Sequence, residues 1–427
     1  MRTLLISANT EQINMPVLPM GLASVATAAG QAGHEVELLN LMTKGDLVEF
    51  KLENAVLSFR PEIIGVSVRN IDDQVMKSPK FLLEAVKNVV RSCRGLTSVP
   101  IVLGGAGFSI YPGSVLAYLE ADMGIRGEGE AAFVELLDRL SRKETTAGVS
   151  NLILPGSARE SGLKTVRNLD ELPLPAPDGF FSLPAEFQNQ KVWLPFQTRR
   201  GCPMGCSYCS TATIEGRILR KRSPAIVVES IARFAEAGFG NLFFVDNTFN
   251  FPSSYALELC GRMIGKNLRI QWQGILYPWK VDEKLIERMA EAGCVSVALG
   301  FESGSKKILR ALNKRFRPEE VRRISQMLRR HGISRMGFLL LGGPGETRET
   351  VEESLEFADS LELESVKLTA GIRIYPDTVL AEIARAEGVV AVDDDLLRPK
   401  FYLAGALEGW IDEKVAYWLK KRPNWLS

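Results

Sequence analysis

The stretch RRGCPMGCSYCS at 199–210 holds three of the chain's six cysteines, Cys202, Cys206 and Cys209, in a C-x3-C-x2-C spacing. Thiolates so close together in a long chain read as metal ligands rather than as a disulfide framework. Four would close a structural zinc site or saturate an iron–sulfur cluster. Three leave one metal position open, and an open position is where chemistry occurs. A zinc site would want a fourth ligand, and the only histidines, His34 and His331, are both far away in sequence. His331 ends a helical pattern before Gly332, where a cation suits the helix dipole, and His34 opens a strand pattern. Both read as structural. Cys93, Cys260 and Cys294 are solitary and read as buried small hydrophobes. Gly201, Pro203 and Gly205 keep the cysteine loop from being helical, so it can wrap a compact centre.

An α/β element order must position this loop. From Val192, strand patterns at 192–198, 241–247, 269–275, 295–301, 336–342 and 366–375 alternate with helical ones. Six βα units are two short of a full eight-unit barrel, and the cysteine loop follows the first strand, at the carboxyl end where barrel sites are built. This predicts a partial (β/α)6 TIM-type barrel over 191–385. The first 145 residues also alternate, with strands at 2–7, 35–41, 62–68, 100–105 and 123–127. Short apolar strands each followed by a helix predict a doubly wound, Rossmann-like parallel sheet that binds ligands beyond its carboxyl ends. Glycine punctuates those ends in GGAGFS (104–109) and RGEGE (126–130). Residues 146–190 are rich in Pro, Gly and Ser and read as a linker with room for a short hairpin. Residues 386–427 read as a short helical segment with aromatic residues around it, more of them core than pocket.

Composition narrows the function classes. Apolar residues make up 46%, charged residues 24%, and the net charge is +1, so no global field would gather nucleic acid or anionic membrane. No apolar run approaches the length of a membrane span, and the N-terminus carries no signal-peptide pattern. With unpaired cysteines, a reducing cytoplasm is the expected compartment.

The triad with an aromatic before its third cysteine, Tyr208, resembles the radical S-adenosylmethionine (SAM) enzymes. The resemblance implies a 4Fe-4S cluster on Cys202, Cys206 and Cys209, with SAM chelating the fourth iron. One electron from an external donor such as flavodoxin or ferredoxin then yields a 5′-deoxyadenosyl radical. It also implies SAM contacts at later strand ends: Asp246 and Asn247 in FVDNTF, Glu302 and Ser303 in GFES, Gly342 and Gly343 in FLLLGGPGET, and Ile374 in GIRIYPDT. Tyr208, next to the third cysteine, is a further implied SAM contact. Arg222, in GRILRKRSP, is the candidate for the methionine carboxylate, because a guanidinium suits a planar anion.

The first 145 residues are similar to the cobalamin-binding domains that precede the radical domain in one large subgroup. PVLPMGLASVATAAGQAGHEVELLNL, PEIIGVSV, PIVLGGAGFS and ADMGIRGEGEAAFVELL carry that likeness. The implied cobalamin contacts are Asn9, Ser67, Gly104, Gly105, Gly107, Gly127, Glu128 and Gly129. One departure stands out: the loop SANTEQINMP has no histidine, so cobalt is expected to take water or no lower ligand. The resemblance points to a C-methyltransferase acting on an unactivated carbon of a small-molecule or lipid-like substrate. A radical cyclase or rearrangement enzyme is the alternative. A methylthiotransferase fits poorly, since Cys93 is the only cysteine of the first domain and no β-rich RNA-binding tail follows the barrel.

Overall fold

The computed structural model describes residues 1–10, 18–42, 47–156, 162–177 and 192–427. Parts of the SANTEQINMP loop and of the expected linker therefore lie outside the described residues. The chain forms two compact units. The first comprises Met1–Asp73, Lys80–Pro195 and Thr213–Gly216; the second comprises Gln74–Pro79, Phe196–Ala212 and Arg217–Ser427.

The first unit runs β1 (Arg2–Ser7), α1 (Met20–Gln31), β2 (Glu35–Asn40), α2 (Leu47–Phe59), β3 (Ile63–Ser67), α3 (Leu83–Leu96), β4 (Ile101–Gly104), α4 (Ala106–Ile110), α5 (Pro112–Leu119), β5 (Met123–Ile125), α6 (Glu130–Ser141) and β6 (Leu152–Ile153). Its sheet order is β2-β1-β3-β4-β5-β6. Neighbours are parallel except β6, which pairs antiparallel with β5 across the intervening α6, so this strand joins the first sheet and is not half of a hairpin within the expected linker. The strands β1, β3 and β4 are mostly buried because helices cover them, whereas the edge strand β2 is only half-buried: Leu5, Ile63, Val102 and Ile125 share one core with Ala26 and Ala29 of α1 and Phe133, Leu136 and Leu137 of α6. The helices α4 and α5, between GGAGFS and β5, are not apparent in the sequence pattern, because five and eight residues are too few to show a period.

The second unit follows with β7 (Leu194–Phe196), which begins at the boundary, β8 (Arg199–Arg200), the first two residues of α7 (Thr211–Glu215), whose remainder belongs to the first unit, β9 (Arg220–Lys221), α8 (Pro224–Glu236), β10 (Asn241–Phe244), α9 (Ser253–Gly265), β11 (Gln271–Leu276), α10 (Glu283–Glu291), β12 (Cys294–Glu302), α11 (Lys306–Ala311), α12 (Pro318–Arg330), β13 (Ser334–Leu341), α13 (Arg348–Asp359), β14 (Ser365–Ala370), β15 (Ile372–Arg373), α14 (Val379–Ala386), β16 (Phe401–Tyr402), α15 (Ile411–Lys420) and β17 (Trp425–Leu426). Its large sheet has the order β17-β14-β13-β12-β11-β10-β7. The expected βα strands stand in sequence order, as a partial barrel requires.

Two differences from the sequence reading stand out. The expected single strand at 366–375 breaks at Gly371, whose φ of +79° a side chain would resist, and β15 leaves to pair antiparallel with β16. The C-terminal segment is not only helical. β17 joins β14 as a seventh parallel strand, and Trp418 and Trp425 stack at 5.6 Å beside it. A two-residue strand carries no periodicity to read.

Candidate functional site

The cysteine loop begins where β8 ends, and a buried ion pair sets that end. Asp246 and Arg199 are 0% and 1% exposed, with Arg199 Nε 3.2 Å from Asp246 Oδ2. Asp246 Oδ1 accepts from the Thr198 and Arg199 amides at 2.7 and 3.0 Å, and Oδ2 accepts from the Thr198 hydroxyl at 2.6 Å. Arg199 Nη1 then donates to the Phe249 and Phe251 carbonyls. A buried charge this well bonded persists because each alternative leaves an unpaired ion in the interior.

Beyond it, Cys202, Cys206 and Cys209 are all partly exposed, whereas Cys93, Cys260 and Cys294 are buried, as their solitary spacing suggests. Burial pushes the Cys93 thiol up to about 11 and Cys260 to about 12, which keeps both inert. Among the described residues no three His, Cys, Asp or Glu side chains converge to hold a single metal ion. A polynuclear cluster needs no such convergence, since each iron takes its own thiolate. Three accessible thiols on a glycine-bearing turn fit that group.

The loop is gripped from one side by the turn after α11. Asn313 adopts a left-handed conformation (φ +55°) that reverses the chain, and the Lys314 amide closes onto Leu309 O at 2.8 Å. That turn touches the cysteine loop residue after residue. Arg315 Nη2 donates to Pro203 O at 2.7 Å, Asn313 Nδ2 to Gly205 O at 2.6 Å, and the Ser207 amide to Leu312 O at 3.2 Å. Lys314 Nζ donates to Tyr208 Oη at 3.0 Å and to Glu302 Oε1 at 3.1 Å, and Tyr208 Oη donates to the same Glu302 oxygen at 3.0 Å. Burial alone would lower the Lys314 ammonium, but Glu302, Tyr208 and Cys206 outweigh it and hold its pKa well above the usual lysine range. Burial raises Cys206, and Lys314 acts against that rise. Burial and Glu302 push the Tyr208 phenol well above its ordinary value.

The expected SAM contacts divide into two groups. Tyr208, Asn247 and Glu302 stand together with the cysteines: Cys209 Sγ donates to Thr211 Oγ1 at 3.2 Å, and that hydroxyl donates to Asn247 Oδ1 at 3.3 Å. Glu302 holds a left-handed φ of +62° at the end of β12. The others are turned into the fold. Asp246 has its carboxylate filled as described, Ser303 is fully buried against Ser354 at 2.8 Å, and Arg222 and Ile374 are buried. The Gly342 and Gly343 amides both donate to Glu346 Oε2, so those N–H groups already have an acceptor. Burial raises the Glu346 carboxyl to about 7. Sequence reasoning missed Asn313, Lys314, Arg315 and Glu346. An asparagine just past a helix followed by two cations was the available signal, and it reads as an ordinary solvated helix end.

In the first unit the register sets Ser7, Ser67 and Gly104 side by side at the carboxyl edge of the sheet. A narrow cleft there is lined by Asn9, Thr10, Ser67, Arg69, Asn70 and Val86. The remaining glycines approach the chain's own atoms. A Cβ on Gly105 would sit 2.6 Å from Val68 O, one on Gly107 3.1 Å from the same oxygen, one on Gly127 2.6 Å from Leu163, and one on Gly129 3.1 Å from Val25. Glu128 Oε2 accepts from the Val166 amide at 2.7 Å and so ties the linker region to this edge.

Comparison with known proteins decides the family. The model of the radical SAM superfamily matches residues 197–358, and that of the B12 binding domain matches residues 6–137. The chain belongs to the radical SAM enzymes that carry a B12-binding domain. An uncharacterised methyltransferase of Pyrococcus horikoshii is 28% identical over 403 residues, covering 91% of this chain and 84% of the relative. The tryptophan 2-C-methyltransferase of Streptomyces laurentii is 24% identical over 442 residues, covering 88% and 73%. The fold of this radical SAM enzyme also matches the radical SAM methyltransferase TsrM of Kitasatospora setae, solved with cobalamin and a [4Fe-4S] cluster. The TM-score is 0.88 at 22% identity, over 100% of this chain and 90% of that one.

Proposed function

We propose that this radical SAM enzyme methylates an unactivated carbon of a small molecule. A [4Fe-4S] cluster would sit on Cys202, Cys206 and Cys209, SAM beside it, and cobalamin at the carboxyl edge of the first unit's sheet. The observation that carries this reading is the presentation of three accessible thiols on one loop, gripped by Asn313, Lys314 and Arg315. When bound, the cluster supplies one electron at a time and cobalamin carries the methyl group. The chain's own residues orient these groups and exclude water. Tyr208, Asn247 and Glu302 form the polar wall next to the thiols. Glu302 Oε1 is taken by Tyr208 and Lys314, which leaves Oε2 to accept from a ribose hydroxyl. Asn9 and Ser67, in the cleft of the first unit, are the polar contacts offered to the corrinoid. An electron donor of the flavodoxin or ferredoxin class would feed the site in a reducing compartment. No helix among the described residues is long and apolar enough to cross a membrane.

Anaerobic reconstitution with iron, sulfide and hydroxocobalamin tests this reading. The expected result is a retained corrinoid spectrum on top of the cluster band, with SAM converted to S-adenosylhomocysteine and 5′-deoxyadenosine. A cluster with no retained corrinoid and 5′-deoxyadenosine alone would overturn the methyltransferase reading.

A further inference from the structure

Lys314 is a lysine in an almost closed site, where lysine is seldom found unless it is paired. Its side chain is 4% exposed and paired with Glu302 at 12%. The rings of Tyr208 and Tyr277 flank the ammonium, with centroids at 5.2 and 5.6 Å. Tyr277 is itself locked, since its hydroxyl accepts from the Arg315 amide at 3.0 Å and its ring packs edge-on against Phe316. Within this box the ammonium hydrogen-bonds Tyr208 and Glu302, and the turn that carries it is bonded to the cysteine loop at Pro203, Gly205 and Ser207, on both sides of Cys206. A surface lysine would lose most of its field to water; one enclosed by rings keeps it.

We infer that Lys314 is a positioning and electrostatic residue for the cluster: a fixed cation held against the cysteine loop that sets how readily the cluster takes up its electron. The inference rests on the proposed function, because it needs a cluster on the three cysteines. A cubane on three thiolates carries net negative charge when oxidised and one unit more when reduced. A cation beside one ligand sulfur therefore stabilises the reduced form more. Glu302 opposes this from farther along the same hydrogen-bonded chain and keeps the Lys314 charge in place. The step is a single electron entering from an external reductant.

The test is an anaerobic redox titration of the reconstituted full-length enzyme without SAM, using dithionite and mediators and following the reduced-cluster electron paramagnetic resonance signal. Lys314→Met is expected to lower the reduction equilibrium constant about tenfold, a midpoint about 59 mV more negative for one electron. Lys314→Arg keeps the cation and is expected to stay within about twofold of the parent. Glu302→Gln, which removes the opposing anion, is expected to move the constant the other way by about threefold. A merely structural lysine would change iron content without moving the midpoint. An unchanged midpoint in fully loaded Lys314→Met overturns the inference and leaves the proposed function standing. If Lys314→Met does not load, an unchanged midpoint in Glu302→Gln overturns it as well. Failure of the parent enzyme to take up a cluster overturns both readings together.

Discussion

The carboxyl edge of the first sheet and the cysteine mouth of the second unit both carry loops rich in glycine, yet they use them differently. At the first edge, Gly105, Gly107, Gly127 and Gly129 let the backbone close on Val68, Leu163 and Val25, so the edge is shaped by chain against chain. At the second, Asn247 beyond β10, Glu302 at the end of β12 and Asn313 in the turn after α11 are bonded through side chains to the cysteine loop or to Thr211 just past it. A cofactor held by thiolates needs particular side chains in place. One held by the shape of a sheet edge needs mainly a backbone that comes close enough, and many sequences supply that.

Breaking the second region should have the larger effects. Cys206→Ser removes a ligand, and reconstituted iron and the cluster band should both be lost, as measured by iron analysis and absorbance. Asp246→Asn leaves Arg199 buried without its counterion. It should destabilise the chain by about 3–5 kcal/mol in denaturant unfolding, although Asp246 touches no cysteine.

Glu346 gives a pH-dependent probe of the same unit. Its carboxyl is raised from 4.5 to about 7 by burial, so its contribution to stability is full below the unfolded value and is lost as pH rises through about 7. The loss amounts to about 3 kcal/mol across that window. Unfolding of Glu346→Gln, which keeps an acceptor for the Gly342 and Gly343 amides, should lack it; equal pH profiles for the two proteins would refute the burial argument.

For the first region, Gly105→Ala places a Cβ against Val68 O at a φ of +97°. The expected loss is about 1–3 kcal/mol, with corrinoid retention falling and iron content unchanged. The smallest effect is expected for Asn313→Gly, which keeps the left-handed turn and loses only the bond to Gly205 O. Stability should drop by about 1 kcal/mol, with faster iron release to a chelator.

Much of this was legible in the sequence, and the reasons are physical. The alternation of short apolar strands with amphipathic helices determined two parallel sheets, because a strand buried on both faces must be apolar throughout and each crossover must be long enough for a helix. The spacing of Cys202, Cys206 and Cys209 determined a site with an open position, because three ligands within one short loop can serve only one centre. What the sequence did not carry was everything that depends on distance between remote segments. Glu302 and Lys314 lie 94 and 106 residues from Tyr208, and no local pattern joins them. Asp246 and Ser303 read as ligands because they end strands, where polar residues are exposed in most proteins. Only the packed structure turned them inward, since a carboxylate and a hydroxyl can be buried once their oxygens are bonded, as those of Asp246 and Ser303 are. The same packing placed Trp425 on a seventh strand and enclosed one lysine between two tyrosines, against the cysteine loop.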